Sequence, residues 1–212
     1  MRSSNGHRPV VALDIDGTLG DYHGHFIRFA RDWAGRELPD PDAINPGQPL
    51  HKHLGMSKST YRQCKLAYRQ GGLKRSMPAY EGARDLTLEA RKAGAEVWIC
   101  TTRPYLRLDN IDPDTRHWLR RNGIQYDAVL FGENKYRSLR KQVEPSRVVF
   151  VLDDLNQMCQ QAVEIGVNQG NIRLRDQPYN RYSNVFTRIY NLEQAWEAIE
   201  RRIAFWEMGQ DV

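Results

Sequence analysis

Residues 10–19 read Val-Val-Ala-Leu-Asp14-Ile-Asp16-Gly-Thr18-Leu. An apolar run of strand length that does not alternate with polar residues is how a strand covered on both faces reads. This one breaks into two carboxylates two residues apart, followed by a glycine that permits a sharp turn. Three further runs have the same character: Glu96–Cys100, Ala128–Phe131 and Arg147–Leu152, with Ile172–Leu174 as a shorter fifth. Helical segments separate them. Glu81–Ala93 closes at Gly94, Asp112-Pro113 opens a helix running to Asn122, and Leu155–Ile165 closes at Gly166. A last helix carries Leu192, Trp196, Ile199, Ile203 and Trp206 along one apolar stripe. Strands alternating with helices predict an α/β fold with a doubly wound parallel sheet.

The alternation fails once. The stretch from residue 15 to residue 95 is far longer than one crossover needs. Within it, His25–Gly35 and Ser57–Gln70 read as helices joined by a proline-rich connector. The expected organisation is a core of residues 1–20 and 78–212, with residues 21–77 inserted as a small helical cap.

The chain has 212 residues, enough for one domain with a sizeable core. No apolar run approaches the length of a membrane span, and Met1–Pro9 lacks the apolar region of a secretory signal. Cys64, Cys100 and Cys159 are widely spaced and odd in number, which suggests reduced thiols and a cytoplasmic location. The net charge of +5 favours anionic partners, although the basic residues are scattered and form no block.

In an open parallel sheet the ligand lies beyond the carboxyl ends of the strands. Asp14 and Asp16 stand at the first of these ends. A carboxylate there can attack phosphorus, and its neighbour can protonate the leaving oxygen and later deprotonate water. Asp-x-Asp-Gly also opens calcium loops, but the twelfth position from Asp14 is His25, not glutamate. The second run ends at Thr101-Thr102, a hydroxyl and amides able to hold phosphate oxygens. Lys135 follows the third run. The fourth ends in Asp153-Asp154, and two acidic pairs at one sheet edge call for a hard divalent cation between them, Mg²⁺.

With these four features in order, the sequence resembles the haloacid dehalogenase-like hydrolases. The resemblance covers roughly residues 8–175 and implies that Asp14 is the nucleophile and Asp16 the acid/base. It also implies a Mg²⁺ held by Asp14, the Asp16 main-chain carbonyl and Asp154, with Asp153 behind or in place of Asp154. Val97–Thr102, Ser76–Gly82, Gln177-Pro-Tyr-Asn-Arg181 and Arg188–Asn191 are similar to segments of the 5′(3′)-deoxyribonucleotidases. In that family the third-motif lysine sits on the helix after the second motif. Here that helix carries Arg116 and no lysine, so Arg116 and Lys135 both stand as the phosphate-binding cation. The Tyr105–Asp112 loop and Asp153-Asp154-Leu-Asn-Gln157 resemble the phosphatase domain of phage polynucleotide kinases.

The expected substrate is therefore a small phosphomonoester, a (deoxy)nucleoside monophosphate, on a monomer or homodimer. A polynucleotide 3′-phosphatase and a non-catalytic nucleic-acid-binding module are the alternatives. Phe26, Tyr61 and Tyr68 of the insert are candidates to stack on a base; with Phe29 and Trp33, their spacing also fits a helix core. His23, His25, His51 and His53 form two His-x-His pairs, read as surface or lid residues, and Gly17, Gly20 and Gly24 as a hinge.

Overall fold

The computed structural model describes residues 8–46, 48–104 and 108–209. Residues 1–7 of the N-terminal stretch and 105–107 of the loop noted above lie outside them. Strand β1 (Val10–Leu13) leads into α1 (Tyr22–Ala34), α2 (Leu50–His53) and α3 (Lys58–Gln70), and the chain returns through α4 (Ala83–Lys92) to β2 (Glu96–Thr101). There follow α5 (Ile111–Arg121), β3 (Ala128–Phe131), α6 (Lys135–Arg140), β4 (Val148–Asp153), α7 (Asn156–Glu164), β5 (Ile172–Arg175), β6 (Thr187–Ile189) and α8 (Leu192–Met208). All strands pair in parallel, in the order β3-β2-β1-β4-β5-β6. The expected α/β, doubly wound parallel sheet is present.

Side chains of β1 alternate between two hydrophobic clusters. Val11 and Leu13 join the cluster on one side of the sheet, Val10 and Ala12 that on the other. Strand β2 does the same with Val97 and Ile99 against Trp98 and Cys100. This period of two is what a sheet buried on both faces requires. Strand β4 carries an irregularity: Val10 faces Val148 while Val11 faces Phe150, so Val149 is the extra residue and sits on the same side as Phe150. The expectation of two-sided burial fails for β3, whose four residues are all half-covered because it is an edge strand. Strand β6, too short to stand out in the sequence, forms the other edge.

The helix starts shift by a turn at most. Asp21 caps α1 by accepting from the Gly24 amide, one turn earlier than the apolar pattern indicates, and Ser57 caps α3 through the Thr60 amide. Asp112 is not the N-cap and Pro113 not the first residue of α5: Asn110 stands at the cap and the helix begins at Ile111, which leaves Pro113 in the first turn, where its missing N–H has no helical partner to lose. Leu192, Ile199 and Ile203 of the α8 stripe are buried against the sheet.

Two features of the sheet place the site. Strand β1 lies between β2 and β4, so the chain's crossings diverge on either side of it and leave a crevice at its carboxyl end. The apolar faces of α1 and α3, with Phe26, Ile27, Cys64 and Tyr68, merge with the sheet's own cluster, and Lys74, which follows α3, forms an ion pair with Asp16 at that end. Among the described residues, no helix is long and apolar enough to cross a membrane.

Candidate active site

Asp14 follows β1 and is anchored by its amide, which donates to Leu152 O of β4 at 3.0 Å. That register brings the ends of β1 and β4 side by side, and Asp14, Asp153 and Asp154 offer carboxylate oxygens all within 4.8 Å of one another. Lys135, at the first turn of α6, reaches in from beyond the end of β3, two strands from β1. Its ammonium is fully buried and lies 2.5 Å from both Asp14 Oδ1 and Asp153 Oδ2. Burial alone would strip Lys135 of its proton, but the two carboxylates outweigh it and raise its pKa above the ordinary lysine value.

Asp153 is further tied down. Tyr136 Oη donates to it at 2.9 Å and the Leu155 amide at 3.0 Å. Asp154 receives the Tyr179 hydroxyl on one oxygen. Burial, then Asp14 and Asp153, push its pKa well above the usual carboxylate range. Asp14 is pushed up to about 7 by burial, with Lys135 opposing. Three buried carboxylates sharing one ammonium are under-neutralised. Hard oxygen donors with surplus negative charge fit Mg²⁺.

Asp16 faces the opposite situation. Arg103 grips it with Nη2 at 2.6 Å from Oδ1 and Nε at 3.2 Å from both oxygens, and Lys74 of the insert forms an ion pair with Oδ2. Arg103 is held in turn by Thr115 Oγ1 at 3.1 Å and lies over the Trp118 ring. Burial raises the Asp16 pKa, but Arg103 and Lys74 outweigh it and hold the carboxyl far below its ordinary value. The Lys74 ammonium is pushed down to about 7 by burial, with Asp16 opposing.

A short turn braces the two acidic loops. Gln177 Nε2 donates to Gly17 O at 2.7 Å, and Asn180 Nδ2 donates to Asp154 O at 2.8 Å. Gly17 has φ +93°, and a Cβ there would collide with the Asp154 carboxylate and the Tyr179 hydroxyl. The tightness of this corner accounts for a glycine at position 17. Gly24 lies within α1, and Gly20 bridges Asp16 and Ala79.

Asp14, Asp16, Lys135, Asp153, Asp154 and Thr101 thus converge at one sheet edge. Thr101 is fully buried with its hydroxyl accepting from the Arg103 amide at 3.4 Å, and Thr102 beside it is half-buried. Arg116 is not brought to the cluster. The helical period turns it away from buried Thr115, and it pairs with Asp112 at 2.7 Å on the exposed side of α5. Phe26 and Tyr68 are fully buried and Tyr61 partly so. Among the histidines, His25 Nδ1 bonds the Tyr68 hydroxyl at 2.8 Å, and the His23 ring lies 4.3 Å from that of Tyr179. All three cysteines are buried and free.

The sequence reading did not assign Lys74, Arg103, Tyr179 or Asn180. Arg103 carried a signal, since it follows Thr101-Thr102 at a strand end. Lys74 carried none: it sits on a single 3₁₀ turn, Leu73–Arg75, far from any strand.

The fold as a whole recurs in known structures. A HAD-superfamily hydrolase, subfamily IA, from Geobacter sulfurreducens superposes with a TM-score of 0.58 at 18% identity, covering 93% of this chain and 99% of its own. The chain has the fold of the haloacid dehalogenase-like hydrolases. Another protein of this fold, Rhodobacter sphaeroides CbbY in complex with phosphate, matches with a TM-score of 0.58 at 16% identity, over 88% of this chain and 95% of its own. By sequence, a Chlorobaculum tepidum protein described as "Putative 5'(3')-deoxyribonucleotidase" is 27% identical over 130 residues, 59% of this chain. The match spans 63% of that relative's length. No family model matches the chain.

Proposed function

We propose that this protein is a Mg²⁺-dependent phosphomonoesterase working through an aspartyl-phosphate on Asp14, with residues 21–77 as the cap over the site. The observation that carries this reading is the position of Asp14. It stands at the carboxyl end of a central strand, beside Lys135 and within reach of Asp153 and Asp154.

Asp14, the Asp16 main-chain carbonyl and Asp154 would hold the cation, which supplies positive charge to the phosphoryl oxygens. Asp153 is committed to Lys135, Tyr136 and Leu155, so its part is to fix the lysine. Asp14 Oδ attacks phosphorus in line with the ester oxygen, and the Lys135 ammonium and the Thr101-Thr102 corner steady the charge spreading over the phosphoryl group. Asp16 is too strongly paired in this state to carry a proton. A phosphate dianion offers Lys74 and Arg103 competing acceptors. As they turn toward it, burial is no longer outweighed and raises the Asp16 carboxyl above its ordinary pKa, so that it takes up a proton from solvent and donates it to the departing alkoxide. The resulting carboxylate then removes a proton from the water that hydrolyses the aspartyl-phosphate.

The substrate reading is a (deoxy)nucleoside monophosphate in a cytoplasmic setting, supported by the Chlorobaculum tepidum likeness. Phosphate release from p-nitrophenyl phosphate, deoxynucleoside 5′- and 3′-monophosphates and 3′-phosphorylated oligonucleotides, with and without Mg²⁺, tests it. Mg²⁺-dependent release from mononucleotides is expected. Release confined to oligonucleotide ends would replace the substrate. No release from any of them would remove the enzymatic reading.

A further inference from the structure

The insert brings more positive charge to Asp16 than one carboxylate uses. Lys74 and Arg103 already share it. Lys65 and Arg69, one turn apart on α3, lie within electrostatic reach of this group, Lys65 of Asp16 and Arg69 of Lys74, and neither has an acidic partner within ion-pair distance among the described residues. The Lys65 ammonium lies 6.0 Å from the centre of the Tyr22 ring, and Lys74 lies 3.9 Å from it. Burial and then Arg69 push the Lys65 ammonium down to about 8, with Asp16 opposing. Half-buried cations crowded in this way are unfavourable unless an anion joins them.

A second observation concerns hydrogen bonding. Thr18 Oγ1, Tyr22 Oη and His23 Nδ1 are buried without a partner. All three belong to the segment that leaves Asp16 and enters α1. Buried polar atoms are nearly always satisfied, so three in one short segment mark a place where a polar group belongs. Tyr22 is within electrostatic reach of Tyr61, Tyr68, Arg69 and Asp16, which puts its ring among the same cations.

We propose that Lys65, Arg69 and the Tyr22 hydroxyl form a second anion subsite, so that the preferred substrates are phosphomonoesters whose leaving group itself carries a phosphate. This rests on the phosphatase reading above and replaces the nucleoside monophosphate there by a substrate with a second phosphate, such as a nucleoside bisphosphate. The phosphate to be cleaved lies at Asp14 with Lys135. The distal one lies against α3, between Lys65 and Arg69, and accepts from Tyr22 Oη. The two cations that a monoester with a neutral leaving group would leave unmatched are then neutralised.

The test compares two probes that differ by one phosphate, propyl phosphate and propane-1,3-diyl bisphosphate, titrated calorimetrically into the full chain. The bisphosphate should bind about tenfold more tightly, as expected for close charge pairs of partial burial. Lys65→Gln with Arg69→Gln should reduce that advantage to about twofold or less. The charge-conserving exchange Lys65→Arg with Arg69→Lys should retain it, and circular dichroism checks that each variant is folded. Equal affinities in the wild type, or an advantage untouched by the double glutamine variant, would overturn the subsite. Hydrolysis of p-nitrophenyl phosphate by the wild type separates the two readings. Turnover with equal affinities removes only the subsite, and a binding advantage without turnover removes only the phosphatase assignment.

Discussion

Two halves of one site, built on the same loop, carry opposite charge balances. On the side of β4, Asp14, Asp153 and Asp154 share a single ammonium, that of Lys135. On the side of the insert, Asp16 alone meets Lys74 and Arg103, with Lys65 nearby. Asp14 and Asp16 are two residues apart, and their pKa values are driven in opposite directions, up to about 7 for Asp14 by burial and far down for Asp16 by its cations. A phosphate dianion with its divalent cation spans this asymmetry, the metal answering the acidic half and the phosphoryl oxygens the basic half. A nucleophile works ionised and a general acid protonated. The two shifts run the other way, and binding of the phosphate with its cation would have to reverse both before attack.

The largest expected effect breaks the acidic half at its centre. Asp14→Asn should lower turnover by about 10⁴-fold or more, as loss of a nucleophile does, while leaving the circular dichroism spectrum unchanged. Lys135→Met comes next. It should cost about 10²–10³ in turnover. Because it leaves buried carboxylates without their cation, it should also cost about 3–5 kcal/mol of stability, read by urea denaturation. A Lys135→Met protein with unchanged stability would show that the acidic half is neutralised some other way.

The matching change in the basic half separates the two. Lys74→Met should lower kcat/KM by about 10²-fold through lost phosphate contact. Its effect on stability should be smaller than that of Lys135→Met, because Arg103 still neutralises Asp16. Equal stability losses in the two variants would erase the contrast.

How much of this was legible in the sequence follows the same division. The acidic half is made of strand ends. Val10–Leu13 and Val148–Asp153 are marked by apolar runs, and the carboxylates that follow them can be placed together once the sheet is read as parallel. The basic half is assembled across the fold. Lys74 comes from a 3₁₀ turn of the insert and Arg103 from the exit of β2, steered by Thr115 and Trp118 of α5. No local period or spacing links those positions, so tertiary packing alone brings them together. Arg116 shows the converse: it sits one residue from buried Thr115, yet the helical period turns it outward. The brace of Gln177, Tyr179 and Asn180 was visible only as a likeness to a family segment, and its contacts to Gly17 and Asp154 could not be read from spacing.

That brace yields a smaller prediction. Tyr179→Phe removes the hydrogen bond on Asp154 and should weaken divalent-metal affinity by about tenfold, measured with Mn²⁺ by electron paramagnetic resonance. Unchanged affinity would mean that Asp154 is positioned by its main chain and Asn180 alone. The smallest effect is a pH-dependent thermal shift. With its pKa raised from 3.8 to about 7, Asp14 favours the folded state when protonated, so its contribution to stability is present below the unfolded value and lost as pH rises through about 7. Mg²⁺ binds the ionised form. It should therefore raise the melting temperature by a few degrees at pH 7.5 and by less at pH 5. A larger Mg²⁺ shift at pH 5 would contradict the charge state assigned to the acidic half.

The central claim is covalent attack by Asp14, and acid-quenched mass spectrometry after brief turnover of p-nitrophenyl phosphate with Mg²⁺ tests it most directly. The account predicts one added phosphoryl group on the peptide containing Asp14, absent from Asp14→Asn. Phosphate release with that peptide unmodified, or with the phosphoryl group on another residue, would contradict it.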